Sequence, residues 1–250
     1  MTRLLLASAS PARRSTLAAA GIDPLVVVSA VDEDAALRAG RERYGDLGPA
    51  DAVLLLAQAK AEAVAARVAA GEVDPFAAEA AAAGPDAGDE TGATAPAGAD
   101  EDLLVLGCDS MLELDGRIWG KPTDAADARE RWRAMRGRTG TLHTGHWLVD
   151  ARPAPVDGGS GTGSSVGATA STVVHFADLS DEEVEAYVAT QEPLAVAGAF
   201  TVDGLGGPFV TGVEGDFHAV VGVGLPLLRE LLAEVGVPLV ALWRPGTVRA

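Results

Sequence analysis

The sequence predicts an α/β fold, and three observations carry that prediction. Short apolar runs with strand character alternate with helical patterns along the chain. Two helix starts are marked by caps, Ser10-Pro11 and Ser180 with Glu183. An Asp115-Gly116 pair, which favours a type I′ turn, joins two strand-like stretches into a hairpin.

The elements follow in order. Leu4 to Ala7 reads as a strand, and an Ala- and Leu-rich helix capped by Ser10 runs to Gly21. Leu25 to Ser29 reads as a second strand, leading into the carboxylate run Asp32-Glu33-Asp34, whose plain reading is a solvated loop. Residues 51–70 have helical spacing with Asp51 as N-cap. Leu103 to Leu106 reads as a buried strand with Asp109 at its end, and the hairpin beyond it closes on Gly120-Lys121-Pro122. A helix is predicted from Thr123 or Asp124 to Met135, strands over about 142–149 and 171–176, and a helix from Ser180 to about Thr190. A strand over 209–213, a helix over 225–235 and a closing strand over 239–243 complete the reading. Two low-complexity insertions, at about 72–102 and 152–170, interrupt what is otherwise one domain spanning 1–250.

The chain of 250 residues carries a formal charge of -17. Nucleic-acid polymers are gripped by clustered Lys and Arg, so this balance argues against such a partner. About half of the charge comes from 72–102, which holds nine acidic residues and no basic ones and is expected to be disordered. The remaining cations are few, and a small anionic ligand requires them to converge. The lone cysteine, Cys108, excludes an internal disulfide and fits a reducing compartment. No apolar run is long enough to span a bilayer, and the N-terminus is too short for a signal peptide. A cytoplasmic location is expected.

Two stretches carry chemistry. The turn Ser8-Ala9-Ser10 between a strand and a helix start directs free N–H groups and the positive helix end to one point, with Arg13 or Arg14 adding full charge. That is a phosphate cradle without a Walker loop's glycines, and its plain reading is a capped helix with solvated arginines. In the central hairpin an acid and a lysine, Asp109 and Lys121, end adjoining strands, a geometry suited to a phosphate ester held with a metal ion. The other candidates are structural. His143 and His146 fall on opposite strand faces, His175 and His218 lack partners in the pattern, and Cys108 lies beside a carboxylate that raises its pKa.

Ser8-Ala9-Ser10-Pro11-Ala12-Arg13-Arg14, Val31-Asp32-Glu33, Ala59-Lys60-Ala61, Gly107-Cys108-Asp109-Ser110, Gly120-Lys121-Pro122, His143-Thr144-Gly145 and the glycine-rich 197–207 stretch together resemble the Maf family over nearly the whole chain. The resemblance implies a Maf/ITPase-like α/β fold: two lobes around a long, strongly twisted mixed sheet with a central cleft, usually as a homodimer. It also implies hydrolysis of a nucleoside triphosphate to the monophosphate and pyrophosphate, with a divalent cation, Mg²⁺ or Mn²⁺. The family's catalytic carboxylate falls on Asp109, which with Glu33 would hold the metal. Ser8, Ser10, Arg13, Lys60 and Lys121 would bind the phosphates, the helix N-terminus after Ser10 adding its dipole.

Base preference is implied by three positions. The branch that acts on thymidine and uridine triphosphates typically has Arg, Thr and Gln where this chain has Ala12, Ser110 and Asp203. A second branch, acting on 7-methyl-GTP, has an acid at the position of Asp203, and a carboxylate accepts two hydrogen bonds from a guanine N–H edge. Tolerance of guanine-type or modified bases is therefore expected, in a house-cleaning role. Two rivals remain: a nucleotide-binding regulator of cell division with no required catalysis, and a phosphatase releasing orthophosphate.

Overall fold

The computed structural model describes residues 2–77, 102–244 and 247. Its described strands form a seven-stranded mixed sheet in the order β2-β1-β3-β5-β6-β7, with β4 paired to β3. The strands are β1 (Thr2–Leu6), β2 (Leu25–Val26), β3 (Asp102–Leu114), β4 (Arg117–Trp119), β5 (Thr139–Asp150), β6 (Ser165–Phe176) and β7 (Val210–Glu214). β1 runs parallel to β2 and β3, and the remaining pairs are antiparallel. The helices are α1 (Pro11–Ala19), α2 (Glu33–Tyr44), α3 (Pro49–Ala69), α4 (Ala125–Met135), α5 (Asp181–Ala189), α6 (Phe217–Val221) and α7 (Leu225–Glu234).

The layering follows from the alternation of β3. Its residues Leu104, Leu106 and Cys108 join Leu4, Leu6 and Leu148 in a core closed by α1 and α7. Further along the same face, Leu112 and Leu114 join Leu142, Val174 and Phe176 in a second core closed by α4 and α5 around Trp132. Ser110 lies between the two sets, and on β5 Thr144 and His146 similarly separate Leu142 from Leu148. One sheet face thus carries two apolar cores divided by a polar belt. The opposite face places Leu5, Leu103 and Val105 under α3, against Ala61 and Val64.

α3 lies unusually close to the sheet. A Cβ on Gly107 would stand 2.1 Å from the Ala57 carbonyl oxygen, and one on Gly145 would stand 2.4 Å from that of Val53. The two glycines, on adjacent strands, let the helix backbone rest directly on them.

Several sequence expectations are corrected. Asp109 does not end a strand: β3 continues to Leu114 because β5 pairs with it from Leu104 to Glu113. What ends is the other edge, since β1 pairs with β3 only to Leu106 and β4 begins at Leu112. The run Asp32-Glu33-Asp34 is a helix start, not a loop: Asp32 caps α2, and Glu33 and Asp34 fill its first turn, where the helix dipole favours acids. α3 begins at Pro49 after Gly48, so Asp51 lies inside the first turn instead of capping it. β2 is only two residues long. β6 starts at Ser165, which shortens the second insertion. The expected closing strand is a 3₁₀ turn, Leu239–Leu242, followed by a single bridge from Trp243 to Ile22. Most of the acidic insertion, 78–101, lies outside the described residues; of its flanks, Phe76 packs on the α3 core and Asp102 opens β3.

The caps at Ser10 and Ser180 form, the latter as a complete capping box. Asp115 and Gly116 both have positive φ, as a type I′ turn requires. No described helix is long and apolar enough to cross a membrane.

Candidate active site

The gap in the β3 edge between β1 and β4 is where the polar groups collect. Asp109 lies at its middle, on the α3 face, with its residue 8% exposed. Lys60 reaches it from α3, its ammonium 2.6 Å from Asp109 Oδ1. The same ammonium lies 2.7 Å from Glu33 Oε1 at the start of α2. Two carboxylates from different elements thus converge on one cation, with the Lys60 and Asp109 side chains nearly buried and that of Glu33 half exposed. Burial raises the pKa of Asp109 above its ordinary value, against the opposing pull of Lys60 and Arg13.

Arg13 approaches through the belt on the other face. Its guanidinium donates to Ser8 Oγ at 3.1 Å, to Ser110 Oγ at 3.2 Å and to the Gly222 carbonyl at 3.0 Å. Ser8 Oγ also accepts the Ser10 N–H at 3.2 Å, and Ser10 Oγ caps α1 through the Arg13 N–H. Ser110 in turn lies 3.0 Å from Thr144 Oγ1, which donates to the Ala219 carbonyl at 2.8 Å. Asp109 and Ser110, successive on a strand, therefore belong to opposite faces and meet one ligand only around the unpaired edge.

Of the remaining sequence candidates, Lys121 is exposed and its ammonium has no partner among the described residues. Its segment is held by Arg131, which donates to the Gly120 and Lys121 carbonyls at 2.7 and 3.3 Å. The β3–β4 register, continued two residues past Leu112↔Trp119, brings Lys121 level with Ser110. Asp203 is exposed on the 201–206 loop and likewise makes no hydrogen bond or ion pair among the described residues. Cys108 is fully enclosed, and burial pushes its thiol up to about 11 although Arg13 opposes the shift. It is no nucleophile at neutral pH.

His146 and Glu192 were not visible as contributors from the sequence. His146 donates from Nδ1 to the Thr144 carbonyl at 3.0 Å and accepts the Gly224 N–H on Nε2 at 2.7 Å, tying β5 to the turn that holds Arg13. Burial lowers its pKa to about 4. A histidine held neutral by the fold supports stability above its unfolded value near 6.5, and that support is lost as pH falls towards 4, about 3 kcal/mol in all. The melting temperature should therefore fall more steeply between pH 6.5 and 4 in the native chain than in His146→Gln, and equal slopes would refute the assignment.

The donor set suits a hard divalent cation. Among the described residues no group of three or more His, Cys, Asp or Glu converges. The two carboxylates that do converge already hold a cation, the Lys60 ammonium, and Asp109 Oδ2 accepts no hydrogen bond from the described residues. A pair of carboxylates completed by water and phosphate oxygens is a usual Mg²⁺ arrangement.

Comparison with known proteins agrees with this architecture. A family model described as Maf-like protein matches residues 3–235. The chain belongs to the Maf family. Among its Maf relatives, a protein of Salinispora tropica named nucleoside triphosphate pyrophosphatase is 49% identical over 98% of this chain and 89% of its own. Proteins of the same name from Mycobacterium ulcerans, 49% identical over 97% of both chains, and Streptomyces coelicolor, 44% identical over 98% of this chain and 96% of its own, are similarly close.

Proposed function

We propose that this Maf protein is a metal-dependent nucleoside triphosphate pyrophosphatase. It hydrolyses (d)NTPs to (d)NMPs and pyrophosphate, acting in the cytoplasm as a homodimer that clears non-standard or modified nucleotides. The observation that carries the reading is the convergence of Asp109, Lys60 and Glu33 at the gap in the β3 edge, opposite the Ser8–Arg13–Ser110 cradle. The shared name of the relatives supports it.

In this mechanism the triphosphate lies across the edge. Arg13, Lys121 and the α1 N-terminus take up phosphate charge, and Ser8 and Ser10 offer hydroxyl groups beside them. Glu33 and Asp109 would hold Mg²⁺ or Mn²⁺, which when bound neutralises further phosphate charge. A water attacks the α-phosphorus in line, the bond from the α-phosphorus to the bridging oxygen breaks, and pyrophosphate leaves. Asp109 accepts the proton of that water. Lys60 orients the carboxylate and screens the phosphate charge brought towards it. Asp203, exposed and free of partners among the described residues, is available to accept hydrogen bonds from a guanine-type base.

Product analysis tests this directly. With Mg²⁺ or Mn²⁺, a panel including 7-methyl-GTP, 5-methyl-UTP and the common nucleotides should give monophosphate and pyrophosphate, and chelator should abolish both. Orthophosphate as the product would turn the reading to a phosphatase. Binding without turnover would turn it to a regulator.

A further inference from the structure

Glu192 sits in a short 3₁₀ turn after α5. Its carboxylate gathers donors from one side of the 201–206 loop. It accepts the Thr201 hydroxyl, the Leu205 N–H at 3.0 Å, the Gly206 N–H at 3.0 Å and the Tyr187 hydroxyl at 3.2 Å. The Tyr187 hydroxyl oxygen also accepts the Thr201 N–H at 3.2 Å. The loop is wrapped so closely that a Cβ on Gly204 would stand 2.7 Å from Glu192 Oε2, and one on Gly206 would stand 2.4 Å from the Tyr187 hydroxyl. Burial works to raise the Glu192 pKa, but these hydrogen bonds outweigh it and keep the group below its ordinary value. An ionised carboxylate is acceptor-only, which suits a site that meets four donors.

The loop is tied to the cleft at its leading end. Gly198 donates its N–H to the Gly120 carbonyl at 3.0 Å, next to Lys121, and packs on Leu112, two residues along β3 from Ser110. The Ala199 carbonyl accepts the Trp132 indole N–H at 2.7 Å. From there Phe200 is buried in the second core, and the chain emerges at Thr201. Glu192 fixes Thr201, Leu205 and Gly206, leaving Val202, Asp203 and Gly204 as a short arch held at both ends.

We propose that Glu192 is a positioning residue for base selection: by clamping both ends of this arch it fixes Asp203 to meet the N–H edge of a guanine-type base. The inference rests on the pyrophosphatase reading and deepens it. Glu192→Gln replaces one acceptor oxygen by an amide donor that faces an N–H or a hydroxyl, releasing one end of the arch while preserving shape. The ratio of kcat/KM for the preferred guanine-type triphosphate over that for UTP should fall about tenfold, through KM, with kcat for UTP unchanged. In an Asp203→Asn background the same substitution should change the ratio little, because both act through one contact. Unchanged selectivity in a folded Glu192→Gln protein, or an equal loss in both backgrounds, would overturn the positioning role. A native protein that hydrolyses no nucleotide would instead overturn the pyrophosphatase reading.

Discussion

Asp109→Asn should reduce nucleotide hydrolysis by about 10³-fold while leaving nucleotide binding largely intact. The substitution keeps the size of the side chain and an oxygen that can accept from Lys60, so the packing of α3 over β3 is preserved. What it removes is the basic oxygen. An amide cannot take the proton of an attacking water, and it is a poor ligand for a hard cation compared with a carboxylate. The neighbours cannot substitute. Glu33 is half exposed at the helix start, and Lys60 is a cation already engaged with both acids. Phosphate contacts from the Ser8–Arg13–Ser110 cradle lie on the other strand face and stay in place. Release of pyrophosphate measures the first half of the expectation. Calorimetric titration with a triphosphate analogue carrying a methylene bridge between the α and β phosphorus atoms measures the second. A variant retaining more than about a tenth of native turnover would remove Asp109 from the role of base.

The sequence made visible those features that depend on neighbours along the chain. The Ser10 and Ser180 caps and the Asp115-Gly116 turn are local devices, each satisfied within a few residues, and all three form. The signals of α2 are also local, an Asp N-cap, acids in the first turn and arginines in the last, but a run of three acids has the same pattern as a solvated loop. The pattern of β3 reads as two pieces because Gly107, Asp109 and Ser110 interrupt its apolar run. Those three residues are polar or small for separate reasons: Gly107 admits a helix, Asp109 meets Lys60, and Ser110 divides two cores. None of those partners lies nearby in sequence. The same holds for Glu192, whose role comes from a loop that folds back on it, and for His146, whose acceptor role needs the Gly224 turn. Family resemblance supplied Lys60 and Glu33 as candidates, but only the crossing of α3 over the sheet brings them onto Asp109.

That crossing makes Gly107→Ala a large perturbation for a single methyl group. The added Cβ would stand 2.1 Å from the Ala57 carbonyl oxygen, 2.9 Å from the Ala61 nitrogen and 3.0 Å from the Ala61 side chain. Both backbone contacts belong to a helix that cannot yield one atom at a time, so α3 must lift or tilt as a body by about 1 Å. Val53, one helical turn before Ala57, rests on Gly145 with similar closeness, so the helix is held down at two points and tilts about the second when the first is filled. Overpacking of this kind costs about 3 kcal/mol, and the melting temperature should fall by about 10 °C. The functional consequence is larger than the loss of stability alone. Lys60 lies between Ala57 and Ala61 in contact terms, so the displacement falls on the segment that presents its ammonium to Asp109 at 2.6 Å. A misplacement of about 1 Å at a catalytic group costs on the order of 10²-fold in kcat. Thermal unfolding with steady-state kinetics below the new midpoint tests both effects. Full activity at a melting temperature within about 2 °C of native would show that α3 does not rest on Gly107, and the account of how the fold places Lys60 would fall with it.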